Sequence, residues 1–312
     1  MKTSTRIFDA TWILTIMIIL TVLPSAFANE EPDDIEHFFQ TTPEINTLIG
    51  ASSQSIAIGV PPGRSGIQPD LSFAYNSYRY NGSMGAGWEI HIGFIQRRTK
   101  KVANYNKEEF DLVSDTGKVE LVPTGNNYFR SRIETTFTKY YYNEAGDYWI
   151  ATHRDGTKYY FGHSPSMNSA AISRQTNSYG TFKWGLAEVQ DLSGNYMVIE
   201  YFSDRGQIYP SQILYTGNSQ ALLSPSNIVV FEYGNEDRPD TMVSYISRKK
   251  VVLAKRLSAV KTYTTAEIQG DTPSLTYLLE YEQSLSNSAS LLKRIRIIGD
   301  DGITEIPGYD FT

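Results

Sequence analysis

Apolar and polar residues alternate along most of this chain with a period of two, the spacing that places every second side chain on one face of a strand. Ile56, Ile58 and Val60 share one face of a short run, and Leu71, Phe73 and Tyr75 repeat the arrangement. Between them lies a dense block of breakers, Pro61-Pro62-Gly63-Arg64-Ser65-Gly66. A strand, a shaped turn and a second strand are predicted. Further strand-like runs lie at residues 119–122, 129–142, 148–153, 159–161, 197–202, 228–233 and 275–281. Turn residues separate them, at Asp115-Thr116-Gly117, Glu144-Ala145-Gly146-Asp147, Asp155-Gly156, Ser193-Gly194-Asn195 and Asp301-Gly302. Capped helical periodicity is hard to find anywhere after Ala28. The predicted fold is all-β, with antiparallel hairpins forming an open β-shell or a sandwich-like module.

One recipe recurs among these hairpins. Asp155-Gly156 leads into Tyr159-Tyr160-Phe161, and Asp191-Leu192-Ser193-Gly194-Asn195 leads into Tyr196; Asp300-Asp301-Gly302 begins the pattern again. The spacing is too irregular for a solenoid, whose repeats keep a fixed period.

The first 28 residues break the pattern and read as an address. Lys2 and Arg6 precede a 12-residue apolar run, residues 12–23, interrupted only by Thr15 and Thr21, and Ala26-Phe27-Ala28 supplies a small-x-small cleavage site. The run is too short for a spanning helix, which needs about 20 apolar residues. A signal peptide over 1–28 is therefore expected, with export to the periplasm or beyond. Residues 29–50 follow as a flexible acidic leading segment (Glu30, Glu31, Asp33, Asp34, Glu36), and 51–312 as the β module.

Composition sharpens this outline. The 22 tyrosines and 14 phenylalanines suit half-buried pleated surfaces. Without Lys2, Arg6 and Asp9, the remaining 26 basic and 33 acidic residues give a formal charge of −7, which argues against general polyanion binding. There is no cysteine, so even an exported chain relies on buried area rather than disulfides.

Several segments, taken in order, resemble the SpvB-type module found at the front of insecticidal toxin complex B components, of the Salmonella virulence plasmid B protein and of YD-repeat (Rhs-like) proteins. Residues 60–69 read Val-Pro-Pro-Gly-Arg-Ser-Gly-Ile-Gln-Pro. Leu71-Ser72-Phe73-Ala74-Tyr75-Asn76-Ser77 and Gly85-Ala86-Gly87-Trp88 follow. Later matches are residues 155–162, Trp184-Gly185-Leu186 with Asp191 and Gly194-Asn195, and Arg238-Pro239-Asp240. The resemblance implies a virulence-associated shell segment that partners the remaining toxin-complex or YD-repeat components and has no catalytic activity of its own. In the family a propeller, a repeat array and a toxic domain come later; this sequence reaches Thr312 about where the propeller would start. Encapsulation and the ADP-ribosylation of a separate C-terminal domain are not carried over.

Local chemistry is sparse. Gly85-Ala86-Gly87-Trp88 lacks the third glycine and the helix of a dinucleotide loop and is read as a corner with Trp88 packed beneath it. Arg64 beside two glycines could hold an anion, although turn shape already accounts for the block. His153-Arg154-Asp155 copies three letters of a kinase loop without the rest of that machinery. His37, His91, His153 and His163 include no metal-binding spacing, and Asp300-Asp301-Gly302 lacks the other carboxylates of a calcium loop. No catalytic residue, cofactor or metal is expected. Basic runs at Arg97-Arg98-Thr99-Lys100-Lys101, Arg248-Lys249-Lys250 and Lys293-Arg294-Ile295-Arg296 suit the protection of exposed strand edges, and no nucleic-acid partner is expected. The alternative is a carbohydrate-binding or glycoside-cleaving surface protein, whose two carboxylates would meet only in the fold.

Overall fold

A computed structural model describes residues 44–46, 50–115, 117–167, 173–264 and 272–311. The expected signal peptide and most of segment 29–50 lie outside them. Within that segment, Glu44–Asn46 forms a strand.

Among the described residues every regular element is a strand, and every strand pairing is antiparallel. β1 (Glu44–Asn46), β2 (Ala51–Ala57) and β3 (Ser72–Asn76) form a meander. β4 (Asn81–Gly82) and β5 (Gly85–Ala86) make a small hairpin, and β6 (Trp88–Ile90) returns to pair with β3. β1, β2, β3 and β6 form a front sheet, with the β4–β5 hairpin separate from it.

A long meander follows, each strand pairing with the next: β7 (Phe94–Arg97), β8 (Phe110–Ser114), β9 (Gly117–Gly125), β10 (Tyr128–Ser131), β11 (Lys139–Asn143), β12 (Tyr148–Thr152) and β13 (Lys158–Phe161). β14 (Arg174–Asn177) turns into β15 (Gly180–Gln190), which is long enough to serve two structures. Through Lys183–Gly185 it pairs with β7, and through Leu186–Gln190 with β13, so eight strands close into a barrel. The second half of β15 also pairs with β16 (Asn195–Asp204). From there β17 (Gln207–Asn218), β18 (Asn227–Tyr233), β21 (Leu257–Tyr263), β22 (Leu275–Gln283), β23 (Ser290–Ile298) and β24 (Glu305–Asp310) extend the sheet as a wing; β19 (Met242–Ser244) and β20 (Val251–Leu253) form a separate hairpin between β18 and β21.

Barrel size explains its interior. Eight strands leave room for side chains to fill and little else. Ile95, Phe110, Leu121, Phe129, Tyr140, Trp149, Phe161 and Trp184 fill it, each almost wholly buried. Phe110 meets Trp149 edge-on at 4.8 Å and Trp184 at 5.8 Å between ring centroids, the arrangement that aligns a ring's positive edge with a neighbour's negative face. The barrel is thus a solid core rather than a channel. A second core lies where the front sheet covers the wing: Phe73 meets Tyr277 at 5.8 Å, and Trp88 meets Phe311 at 4.7 Å.

The all-β antiparallel expectation holds. An open shell or sandwich does not describe the molecule fully, because the pairing of Lys158–Phe161 with Leu186–Gln190 closes a barrel. Hairpin patterning is identical in open and closed sheets, so it carries no sign of closure. The single run expected over 129–142 is two strands, β10 and β11, parted by a loop in which Phe137 takes a positive φ of 53°.

The recurrent hairpin recipe is physical. Asp155 Oδ1 accepts from the Thr157 amide at 2.9 Å, Asp191 Oδ1 from the Asn195 amide at 2.8 Å, and Asp301 Oδ1 from the Ile303 amide at 2.9 Å. Each turn continues through a glycine of positive φ: Gly156, Gly194 or Gly302. The aspartate imitates a backbone turn and the glycine completes it.

Candidate functional site: the joint between front sheet, barrel and wing

Three of the matched segments, residues 61–66, 85–88 and 238–240, fasten the front sheet and its neighbouring hairpin to the wing. The proline-glycine block straps the front sheet to the wing. Tyr215 Oη donates to the Pro61 carbonyl at 2.8 Å, Asn227 Nδ2 to the Pro62 carbonyl at 3.3 Å, and Arg64 Nε to the Thr216 carbonyl at 3.1 Å. Arg64 is thereby part of the strap. The turn Arg64 to Ile67 runs through Ser65 and Gly66, both at positive φ, and closes with the Ile67 amide on the Arg64 carbonyl at 3.0 Å. Gly63 is needed for a different reason. Its φ is not positive, but a Cβ there would lie 2.2 Å from the Ile67 carbonyl oxygen.

Gly85-Ala86-Gly87-Trp88 forms the expected corner. Trp88 is 5% exposed and packs between Tyr75 and Phe311, and a Cβ on Gly87 would fall 2.5 Å from the Tyr75 ring. Behind the corner sits a fully buried guanidinium. Arg238 Nε donates to Asp240 Oδ1 at 2.8 Å and Nη2 to Asn81 Oδ1 at 2.6 Å, while Nη1 reaches the Gly82 carbonyl. Asp240 in turn accepts from the Ser290 amide at 2.6 Å and the Ser290 hydroxyl at 2.7 Å. One ion pair therefore joins the β4–β5 hairpin, the loop after β18 and the start of β23. Burial opposes ionisation of Asp240, yet the hydrogen bonds from Arg238, Ser290 and Asn81 prevail and hold its carboxyl well below the ordinary range. Sequence reasoning marked Arg238-Pro239-Asp240 only as a match, since its partners come from distant segments.

Trp184-Gly185-Leu186 is the point at which β15 changes its barrel partner from β7 to β13, just before Glu188–Gln190 take up the wing strand β16 as well. Tyr201 of the wing donates to the Leu186 carbonyl at 2.7 Å, and a Cβ on Gly185 would approach its ring to 2.9 Å. The Trp184 indole N–H donates to the backbone carbonyl and to Oδ1 of Asp147, both at 3.0 Å. Asp147 also accepts from Tyr142 at 2.9 Å and from Thr181 at 2.6 Å. Burial, then the Asp147 charge, pushes the Tyr142 phenol well up. Asp147 was legible only as a turn residue.

A cavity of about 120 Å³ lies at this joint, lined in part by Glu89, Phe94, Lys183, Tyr201 and Tyr233. It is smaller than the ~300–1,000 Å³ of ordinary ligand clefts. Lys183 sits over the Phe94 ring at 4.2 Å, and desolvation lowers its pKa against the raising influence of Glu89.

The buried carboxylates are each engaged in structure. Asp111 pairs with Arg98 at 2.9 Å and Lys118 at 2.8 Å. Glu188 accepts from Ser164 at 2.6 Å and from the Ser166 hydroxyl at 2.8 Å. Asp240 is likewise taken by Arg238, so each of these acids is held by structural partners. His153-Arg154-Asp155 is the β12–β13 turn, with His153 against Tyr159 at 4.4 Å. Among the described residues, no group of three or more His, Cys, Asp and Glu is placed to hold a metal.

The family model of the Salmonella virulence plasmid 65kDa B protein, SpvB, matches residues 46–265, well over half of the chain and including the strap, the corner and the Arg238 ion pair. The chain belongs to the SpvB family. Solved structures agree on the fold. "Crystal Structure of TcdB2-TccC3" superposes with a TM-score of 0.72 at 20% identity over 88% of this chain, and "Crystal Structure of TcdB2-TccC3-TEV" with 0.72 at 19% identity over 93%. The N-terminal domain of effector protein SpvB from Salmonella typhimurium strain LT2 superposes with 0.65 at 20% identity, covering 78% of this chain and 98% of that domain. This SpvB-family chain spans 17% of either TcdB2-TccC3 chain. No curated protein matches it by sequence.

Proposed function

We propose that this SpvB-family chain is a structural and interaction module, a wall segment of a larger toxin-complex or YD-repeat (Rhs-like) shell, and that it carries out no turnover. The observation that carries this reading is the architecture of the joint. The barrel is filled, Arg64, Arg238 and Asp240 are committed to holding segments together, and among the described residues β24 pairs on one side only, with β23. An unpaired strand edge is a template for a further strand. The TcdB2 chains of similar fold are solved joined to TccC3, which makes a shell polypeptide of that kind the natural partner class.

Export completes the proposal: residues 1–28 direct secretion and are removed, so assembly takes place outside the cytoplasm. Co-expression with the products of adjoining genes tests the partner. Stable co-purification with a shell polypeptide is the expected result, and failure to associate with any of them removes the partner-dependent reading. A glycan array with a hydrolysis screen tests the competing carbohydrate reading in the same preparation.

A further inference from the structure

Two of the three basic runs, far apart in sequence, meet at one place. The tip of the β19–β20 hairpin, residues 245–250, is fastened to the loop after β7. The Ala103 amide donates to the Ile246 carbonyl at 2.8 Å, and Arg248 Nε to the Ala103 carbonyl at 2.8 Å. Tyr105 Oη and Asn177 Nδ2 both donate to the Ser247 carbonyl, at 2.9 and 3.0 Å. Ser247 is buried, and Arg248 holds a positive φ of 63°. The tip is therefore a fixed display.

It displays Lys100, Lys101, Arg248, Lys249 and Lys250, all exposed. Among the described residues none of these five has a carboxylate within ion-pair distance, although Arg98, Lys118, Arg205, Lys261, Arg294 and Arg296 all do. Between the cations stand large apolar side chains open to solvent: Val102, Val243, Tyr245 and Ile246, each about half exposed or more. Tyr179 stacks on Tyr105 at 5.8 Å, with Lys249 Nζ 5.5 Å from its ring centroid.

We propose that this tip is a membrane-contact surface selective for anionic lipid headgroups. Four of the five cations are lysines, which protein–protein interfaces disfavour, whereas clustered lysines are drawn to anionic leaflets. The apolar side chains among them can enter the headgroup boundary. A chain of net charge −6 concentrates this attraction at one spot.

Sedimentation of the purified protein with vesicles of phosphatidylcholine alone, and of phosphatidylcholine mixed with phosphatidylserine, tests it. Binding is expected only with phosphatidylserine, and it weakens as salt rises. Each cation removed should weaken binding roughly fivefold, so Lys249→Gln with Lys250→Gln should lose more than tenfold. Tyr245→Ser with Ile246→Ser should abolish the binding that survives salt. Lys158→Gln is the control, because Lys158 pairs with Gln190 at the opposite end of β15. An unchanged circular dichroism spectrum identifies the folded variants. Equal binding to both vesicle types, no binding to either, tip variants that bind like the parent, or retention on heparin or RNA without vesicle binding would each overturn the proposal.

Discussion

Arg238 Nε lies 2.8 Å from Asp240 Oδ1, and the arginine side chain is wholly enclosed. The pair acts as a rivet because its remaining hydrogen bonds run from its own loop to two other segments, β4 at Asn81 and Gly82 and the start of β23 at Ser290, joining three in all. Asp240→Ala leaves a buried guanidinium without its counter-charge and should cost about 3–5 kcal/mol. Urea denaturation measures it. A loss no larger than that of a surface substitution would show that the three segments are held by packing alone.

The same carboxyl makes stability depend on acid. Its folded pKa is depressed below the ordinary 3.8, so its contribution is fully present above that value and disappears as pH falls through the depressed one. Unfolding midpoints measured from neutral pH into acid should therefore fall less steeply for Asp240→Asn than for the parent.

Trp88→Ala should destabilise by about 3–5 kcal/mol, because the indole fills the space between Tyr75 and Phe311. Phe311→Ala should reproduce part of that loss. If Trp88→Ala left the denaturation midpoint unchanged while abolishing binding to a partner, the corner would be a contact surface instead.

Gly63 and Gly66 should respond differently to alanine. At Gly66 the added Cβ meets open space but the φ of 82° is strained, worth about 1–2 kcal/mol. At Gly63 the Cβ strikes the Ile67 backbone, which has to move, so the loss measured by chemical denaturation should be the larger of the two.

Asp147→Ala removes the side-chain acceptor of Tyr142, Thr181 and Trp184 together. A cost of about 1–3 kcal/mol above that of Asp147→Asn is expected, since asparagine keeps one acceptor oxygen and tolerates the positive φ of 53°. Thermal unfolding followed by tryptophan fluorescence gives the comparison.

The sequence by itself determined the local grammar of this protein. Period-two runs became strands, Asp155, Asp191 and Asp301 became turn-forming acceptors, and Trp88 became a buried corner residue, because each outcome depends on a residue's own geometry and its near neighbours. The basic run at Lys293-Arg294-Ile295-Arg296 shows where that grammar ends. It reads as edge protection, yet β23 lies inside the wing, where Lys293 pairs with Glu282 and Arg296 with Glu305. Closure of the barrel through Phe161 and Leu186, the fastening of Arg238 to Asn81 and of Asp240 to Ser290, and the meeting of Ala103 with Arg248 were decided only by tertiary structure. In each case the partners lie far apart along the chain, and the free energy that joins them comes from burial and pairing across sheets, which leaves no periodic mark on the residues between.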